Sequence, residues 1–234
     1  TALSAANTRF QEKTGVEVMV NFASSNVLAQ QIISAGKADV FLSADESWMN
    51  KVEAVGKVEP GTRVDLLSNA LVVVANRASA VQMGRPEDLC NAEFKYLSTG
   101  NPEAVPQGRY ARRWMQTVRC GDATLWDKVK DRLAPAIDAP SALGQVESID
   151  QAIGVLYRTD ITKSKRIRVL HDVAGPGAPR ITYVAAAVAG RQHKPVALDY
   201  LKFLQGEEAQ LVFRQAGFLI PASAPTLDPS RAVP

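Results

Sequence analysis

Histidine and cysteine are scarce in this chain, with two of each among 234 residues. Two cysteines and two distant histidines lack the close ligand spacing of a zinc site. His171 and His193 sit in polar, loop-like segments with no nucleophile or carboxylate cluster beside them, so they read as surface residues. No Ser–His or Cys–His arrangement is suggested, which argues against nucleophilic catalysis. No run of about 18 apolar residues occurs, so no segment reads as a membrane-spanning helix. Basic blocks interleaved with aromatics are also missing. The 27 Lys and Arg and 24 Asp and Glu are scattered and leave a net charge of +3, which argues against nucleic-acid binding. No internal repeat appears, and only the tail Pro221–Pro234, rich in Pro, Ala and Ser, reads as irregular. No signal peptide is visible. Thr1 opens directly into a helical pattern, which implies a removed leader or a start further upstream.

What is present is an ordinary globular composition, 46% hydrophobic and 22% charged. The length suits one large domain or two lobes of about 100 residues each. Cys90 and Cys120 fit either a disulfide in an oxidising compartment or two small core residues.

Strand and helix patterns alternate along most of the chain. Leu3, Ala6 and Phe10 recur at helical spacing up to a stop at Thr14-Gly15, and Val16–Phe22 alternates as a strand. Val27–Ala35 reads as a helix ended by Gly36. A short strand at Asp39–Leu42 is followed by Asp45, the expected N-cap of a helix carrying Trp48, Met49 and Val52. Leu71–Ala75 is a continuous apolar run, expected as a strand buried on both faces. Further strands are expected at Phe94–Ser98, Ile153–Tyr157 and Ile181–Val188. Further helices are expected near 107–118 and 141–151, around Tyr200 and Leu204, and from Ala209 to Ala216-Gly217. The pattern implies an α/β protein of two lobes, each a mixed, mostly parallel sheet flanked by helices. Residues 1–68 plus 184–234 would form one discontinuous lobe and 72–180 the other, with a hinge near 69–73 and 181–184.

Three strand-to-helix junctions carry the chemistry: Phe22–Asn26, Asn101–Gly108 and Ala136–Ser141. A helix start leaves unpaired N–H donors and a positive dipole end, so it attracts an anion without any formal cation. Three such ends on one cleft would cage a small oxyanion. Plain alternatives exist at each point. Ser24 and Ser25 could simply cap a helix, and Tyr157 at the end of an apolar run could be a core tyrosine. Arg109, Arg112 and Arg113 share one helix face, which would be solvated or would steer anions. Asp45 and Asp160 read as caps or hinge contacts.

The chain resembles the periplasmic molybdate-binding proteins of bacterial transport systems. The resemblance runs through Phe22-Ala23-Ser24-Ser25, Leu28–Ile32, Ala38–Asp45 with Trp48-Met49, and Leu67–Ala75. It continues through Asn101–Pro106 with Gly108 and Tyr110-Ala111, Leu133–Pro135, Gly154–Tyr157 with Asp160, Tyr200–Lys202, and Phe213 with Gly217-Phe218. It implies a type II periplasmic binding fold in which neutral donors hold molybdate or tungstate. Ser25 would donate through hydroxyl and backbone, Gln107 and Ala139 through backbone N–H, and Tyr157 through its hydroxyl. It also implies no enzymatic activity and no cofactor, a monomer in the periplasm, an ABC transporter permease as partner, and contact with the membrane only through that permease. The alternatives within the fold are a binder of another oxyanion and a ligand-sensing regulatory domain. Three features depart from the family. A first strand and a Ser or Thr donor normally precede the opening helix, so an upstream segment, or another segment in that gap, is expected. Arg158 stands where a small residue is usual. Gln107 is also larger than usual, and its side chain is expected to reach toward the mouth of the site.

Overall fold

The computed structural model describes residues 1–221, and the irregular tail expected for Pro221–Pro234 lies almost wholly outside them. The chain divides into two compact units, residues 1–68 with those from 182 on, and residues 69–181.

In the first unit the opening helix α1 (Ala2–Thr14) ends at Gly15, whose positive φ lets its N–H close on Gln11 O. Helix α2 (Ser25–Ala35) follows, then β1 (Val40–Ser43) and α3 (Glu46–Ala54). Asp45 caps α3 as expected, accepting from Ser47 N at 2.6 Å. A three-stranded sheet orders β1, β10 (Ile181–Ala187) and β2 (Val64–Asn69), with β1 antiparallel to β10. Ile32, Phe41, Trp48, Met49, Val52 and Val184 make one core cluster of this unit. The closing helices α8 (Lys194–Gln205) and α9 (Glu207–Gln215) pack on α1, where Phe10 meets Tyr200 edge-on at 5.1 Å.

Val16–Phe22 departs from expectation and forms no strand. Met19 is 91% and Phe22 59% exposed. Alternation supplies one face for a core, but a strand also needs a ladder partner for its backbone. Among the described residues no ladder pairs with this segment. A mostly apolar cavity of about 1130 Å³ lies alongside it, walled by Leu28, Ile32, Phe41 and Tyr183.

The second unit is built on a five-stranded mixed sheet in the order β7 (Leu133–Ala136), β4 (Tyr96–Gly100), β8 (Ala152–Tyr157), β3 (Leu71–Asn76), β9 (Ile167–Asp172). Every residue of β3 and β8 is buried, as continuous apolar runs require in a sheet covered on both faces. The three strands β7, β4 and β8 are mutually parallel, whereas β3 runs antiparallel to both its neighbours. The parallel part is therefore confined to one half of the sheet. Helix α6 (Ala139–Ser148) covers it from one side with Ala142 and Val146 against Val72, Val74 and Leu156. Helix α4 (Pro106–Thr117) packs on β4 and β8 and buries Tyr110, Ala111, Trp114 and Met115. A small hairpin, β5 (Arg119–Cys120) with β6 (Ala123–Thr124), leads into α5 (Leu125–Val129), whose Thr124–Asp127 capping box sets its start. The short α7 (Arg158–Ile161) follows β8.

Helix α4 sits unusually close to its strand. A Cβ on Gly108 would fall on the carbonyl of Gly100, and one on Gly100 would strike Val105. Glycine at both positions is a condition of the approach. Gly108→Ala should therefore push α4 off β4 and cost about 1–3 kcal/mol or more in chemical denaturation, the range for overpacked sites.

Cys90 and Cys120 are joined in a disulfide, closing a loop with a sequence separation of 30. Of the two readings open in the sequence, the structure takes the disulfide. Reduction should lower unfolding free energy by about 3–4 kcal/mol on the chain-entropy model. Denaturation with and without reductant measures this, and unchanged stability would contradict it.

Candidate functional site

In the second unit the carboxyl ends of β7, β4 and β8 share one sheet edge, because adjacent parallel strands end on the same side. Gly100 at the end of β4 lies opposite Ala136 at the end of β7. The offset that pairs Ser98 with Gly154 puts Gly100 level with Leu156, one residue before Tyr157. From this edge the chain enters α4, α6 and α7. Gln107, Ala139 and Tyr157 are thereby brought to one place.

The local sequence decides which donors remain at each helix start. Helix α4 has no side-chain cap on Val105 and no acidic residue in its first turn. Pro106 lacks an N–H, and Arg109 N already reaches Val105 O at 3.2 Å. The backbone groups left at that end are Gln107 and Gly108 N–H. At α6, Asp138 takes Ser141 N on its carboxylate at 2.8 Å and Pro140 has no N–H. Ala139 N–H is the donor that remains. Tyr157 is only 4% exposed at the end of β8.

Ser25 belongs to the other unit, at the first position of α2. Its hydroxyl oxygen accepts from Ala44 N at 3.0 Å, which leaves its own proton to donate. Ser24 makes no side-chain cap bond, so plain capping does not account for that serine. Acidic first turns are likewise missing from α2, whereas Glu46, Asp127 and Glu207 occupy those of α3, α5 and α9.

Two side chains of the second unit behave differently from expectation. Gln107 does not reach toward any mouth, because it is wholly buried. Its carbonyl oxygen accepts from Gly100 N at 3.0 Å, and its amide donates to Asp160 Oδ2 at 3.3 Å. Sequence pattern could not show this, since a helical glutamine normally faces water. Asp160 is not a cap. It sits within the first turn of α7, where burial chiefly, and the neighbouring Asp138 charge secondarily, push its pKa up to about 6. No spacing signal in the sequence marks that carboxyl as desolvated.

The departure at Arg158 also finds a place. Its guanidinium pairs with Asp172 on β9, and its backbone N–H bonds Ala70 O. Arg112 is held by Glu103 at 2.6 Å and stacks over Trp126. His193 is exposed and lies 3.4 Å from Asp39. Among the described residues, no group of three or more His, Cys, Asp or Glu could hold a metal ion, and no helix is long and apolar enough to cross a membrane. Neutral N–H groups on aligned helix dipoles can bind an oxyanion's oxygens, with no nucleophile or general base among them.

Comparison with known proteins gives the chain a family. The family description "bacterial extracellular solute-binding protein" matches residues 1–219. The molybdate-binding protein ModA of Escherichia coli K12 is 34% identical over 217 residues, spanning 91% of this chain and 82% of that protein. Among solved structures, the periplasmic molybdate-binding protein of Azotobacter vinelandii shares the fold at a TM-score of 0.79 and 20% identity, covering 94% of each chain. The sulfate-binding protein SubI of Mycobacterium tuberculosis shares it at 0.76 and 16% identity, covering 98% of this chain and 84% of that one. The fold is that of the type II periplasmic binding proteins. The chain belongs to the bacterial extracellular solute-binding proteins, a family that binds its solute rather than transforming it.

Proposed function

We propose that this protein captures molybdate in the periplasm and delivers it to an ABC transporter permease, as a monomer and without a cofactor. Tungstate, of the same charge and shape, is a ligand in the same reading. The observation that carries it is the pair of helix ends, α4 and α6, whose remaining donors stand beside Tyr157 on one sheet edge. Relatedness to a molybdate-binding protein supports the choice of anion. The Cys90–Cys120 disulfide supports an oxidising compartment.

In this reading Gln107 and Ala139 donate through the backbone, Tyr157 through its hydroxyl, and Ser25 through both. The connections near 69–73 and 181–184 act as the hinge on which the units close over the anion. Closure removes water, so each neutral donor acts in a lower dielectric and binds more strongly. Sulfate is rejected by cavity size, because its charge and acceptors match those of molybdate. Protonated phosphate is rejected because a cage of donors leaves its hydroxyl without an acceptor, at a cost of about 1–3 kcal/mol.

Isothermal titration with molybdate, tungstate, sulfate and phosphate is the direct test. Heat with the first two at micromolar protein is expected, and silence with molybdate would overturn the proposal. Tyr157→Phe should weaken molybdate roughly ten- to a hundredfold, since a hydrogen bond to a charged partner contributes about 1.5–3 kcal/mol. An unchanged affinity would remove Tyr157 from the site.

A further inference from the structure

Gln107 combines three properties that a helix-surface glutamine lacks. It has no exposed surface, its oxygen closes the last backbone N–H of β4 at Gly100, and its amide reaches the carboxylate of Asp160 on α7. We propose that the Gln107 carboxamide is a positioning residue that ties the start of α4 to both the β4 edge and the turn after Tyr157, and so sets the spacing of the anion's donors. The inference rests on the anion-binding reading above and names what holds that site in register.

The argument starts from geometry. The backbone N–H of Gln107 is a donor of the site, while its side chain is anchored at both ends within the same unit. Gly100 and Gly108 let α4 lie against β4, but close packing alone does not fix how far the helix slides along its strand. A bond from Gly100 N to the first turn of α4 does. The second bond spans to α7, three residues beyond Tyr157 in sequence. One side chain therefore links the first turn of α4, which carries a donor, to α7, which directly follows Tyr157.

Its amide is also matched to its partner. Asp160 is half-buried, and its surroundings offer little positive charge. Helix α6 brings Asp138 at its start and Glu147, which accepts from Ser164 Oγ at 2.5 Å. Strand β8 carries no charged side chain. On α7 itself Arg158 is committed to Asp172. Of α4, Gln107 is neutral and Arg109 follows one turn in. A neutral donor facing a partly desolvated carboxyl is tolerated whether that carboxyl is charged or not, whereas a second carboxylate there is not.

The test reverses the hydrogen bond. Gln107→Glu keeps an acceptor for Gly100 N but sets two carboxyls face to face. Its molybdate affinity should fall at about pH 8, roughly tenfold for each pKa unit by which the pair differs between free and bound protein, and should recover toward about pH 5 more steeply than in the wild type. The double variant Gln107→Glu with Asp160→Asn restores the contact with donor and acceptor exchanged, so affinity at about pH 8 should return. Thermal melts accompany each titration. A residue that is merely structural would lower the melting temperature without producing the pH-dependent recovery or the rescue.

A Q107E protein that binds molybdate with the wild-type affinity and pH profile would overturn the inference, as would a folded double variant with no rescue. If Q107E does not fold, Gln107→Met, which removes both bonds at similar volume, decides the matter. Unchanged affinity in Q107M overturns the inference, and loss of affinity with a retained melt supports it. Wild-type protein that binds no molybdate at any pH overturns the anion-binding reading and this inference together, an outcome distinct from the others.

Discussion

The parallel ladder of β7, β4 and β8 is the constraint on which the second unit's chemistry depends. Parallel strands ending together force each following helix to start at the same edge, with its dipole pointing the same way. Gly100 opposite Ala136 sets that alignment, and the antiparallel strands β3 and β9 extend the sheet without adding helix starts to the edge. The glycines at 100 and 108 let α4 approach closely enough for the edge to be compact. Nothing about the site requires a cation if dipoles are aligned by topology.

The same edge carries negative charge, and the structure handles it locally. Asp138 is spent on Ser141 N, which fixes the start of α6 and, with Pro140, narrows that end to a single backbone donor. Asp160 is buried enough to be pushed toward neutrality near pH 6 and takes the Gln107 amide. Arg158, the one arginine next to Tyr157, is turned to Asp172. In the anion-binding reading, fixed N–H groups would set the size of the cage, and size is what would separate tetrahedral oxyanions of equal charge.

Local patterning made much of the fold legible. Apolar runs at Leu71–Ala75 and Ile153–Tyr157 are buried strands, because a strand covered on both faces has nowhere to place polar side chains. Asp45 caps its helix and Gly15 ends another, since caps act within one turn of the backbone. The junctions Asn101–Gly108 and Ala136–Ser141 do contain the starts of α4 and α6, although the helix expected near 141–151 begins earlier, at Ala139. Val16–Phe22 alternates without forming a strand, because alternation describes a face and not a ladder partner. Strands β2 and β9 carry polar and charged residues among their apolar ones, so no clean strand pattern marks them. The inward turn of the Gln107 side chain and its contact with Asp160 left no local pattern, since they depend on residues 7 and 53 positions away.

The sequence by itself determined the periods and the ends: which segments alternate, where prolines and glycines stop or start a helix, and which N–H groups a cap leaves over. Those are properties of neighbours along the chain, and they survive whatever the chain folds around. Only the tertiary structure decided that Cys90 meets Cys120, that Gly100 faces Ala136, and that Gln107 turns inward to an acid on another helix. Such pairings are chosen by packing a whole sheet at once, so the energy that selects them is spread over residues no local window contains.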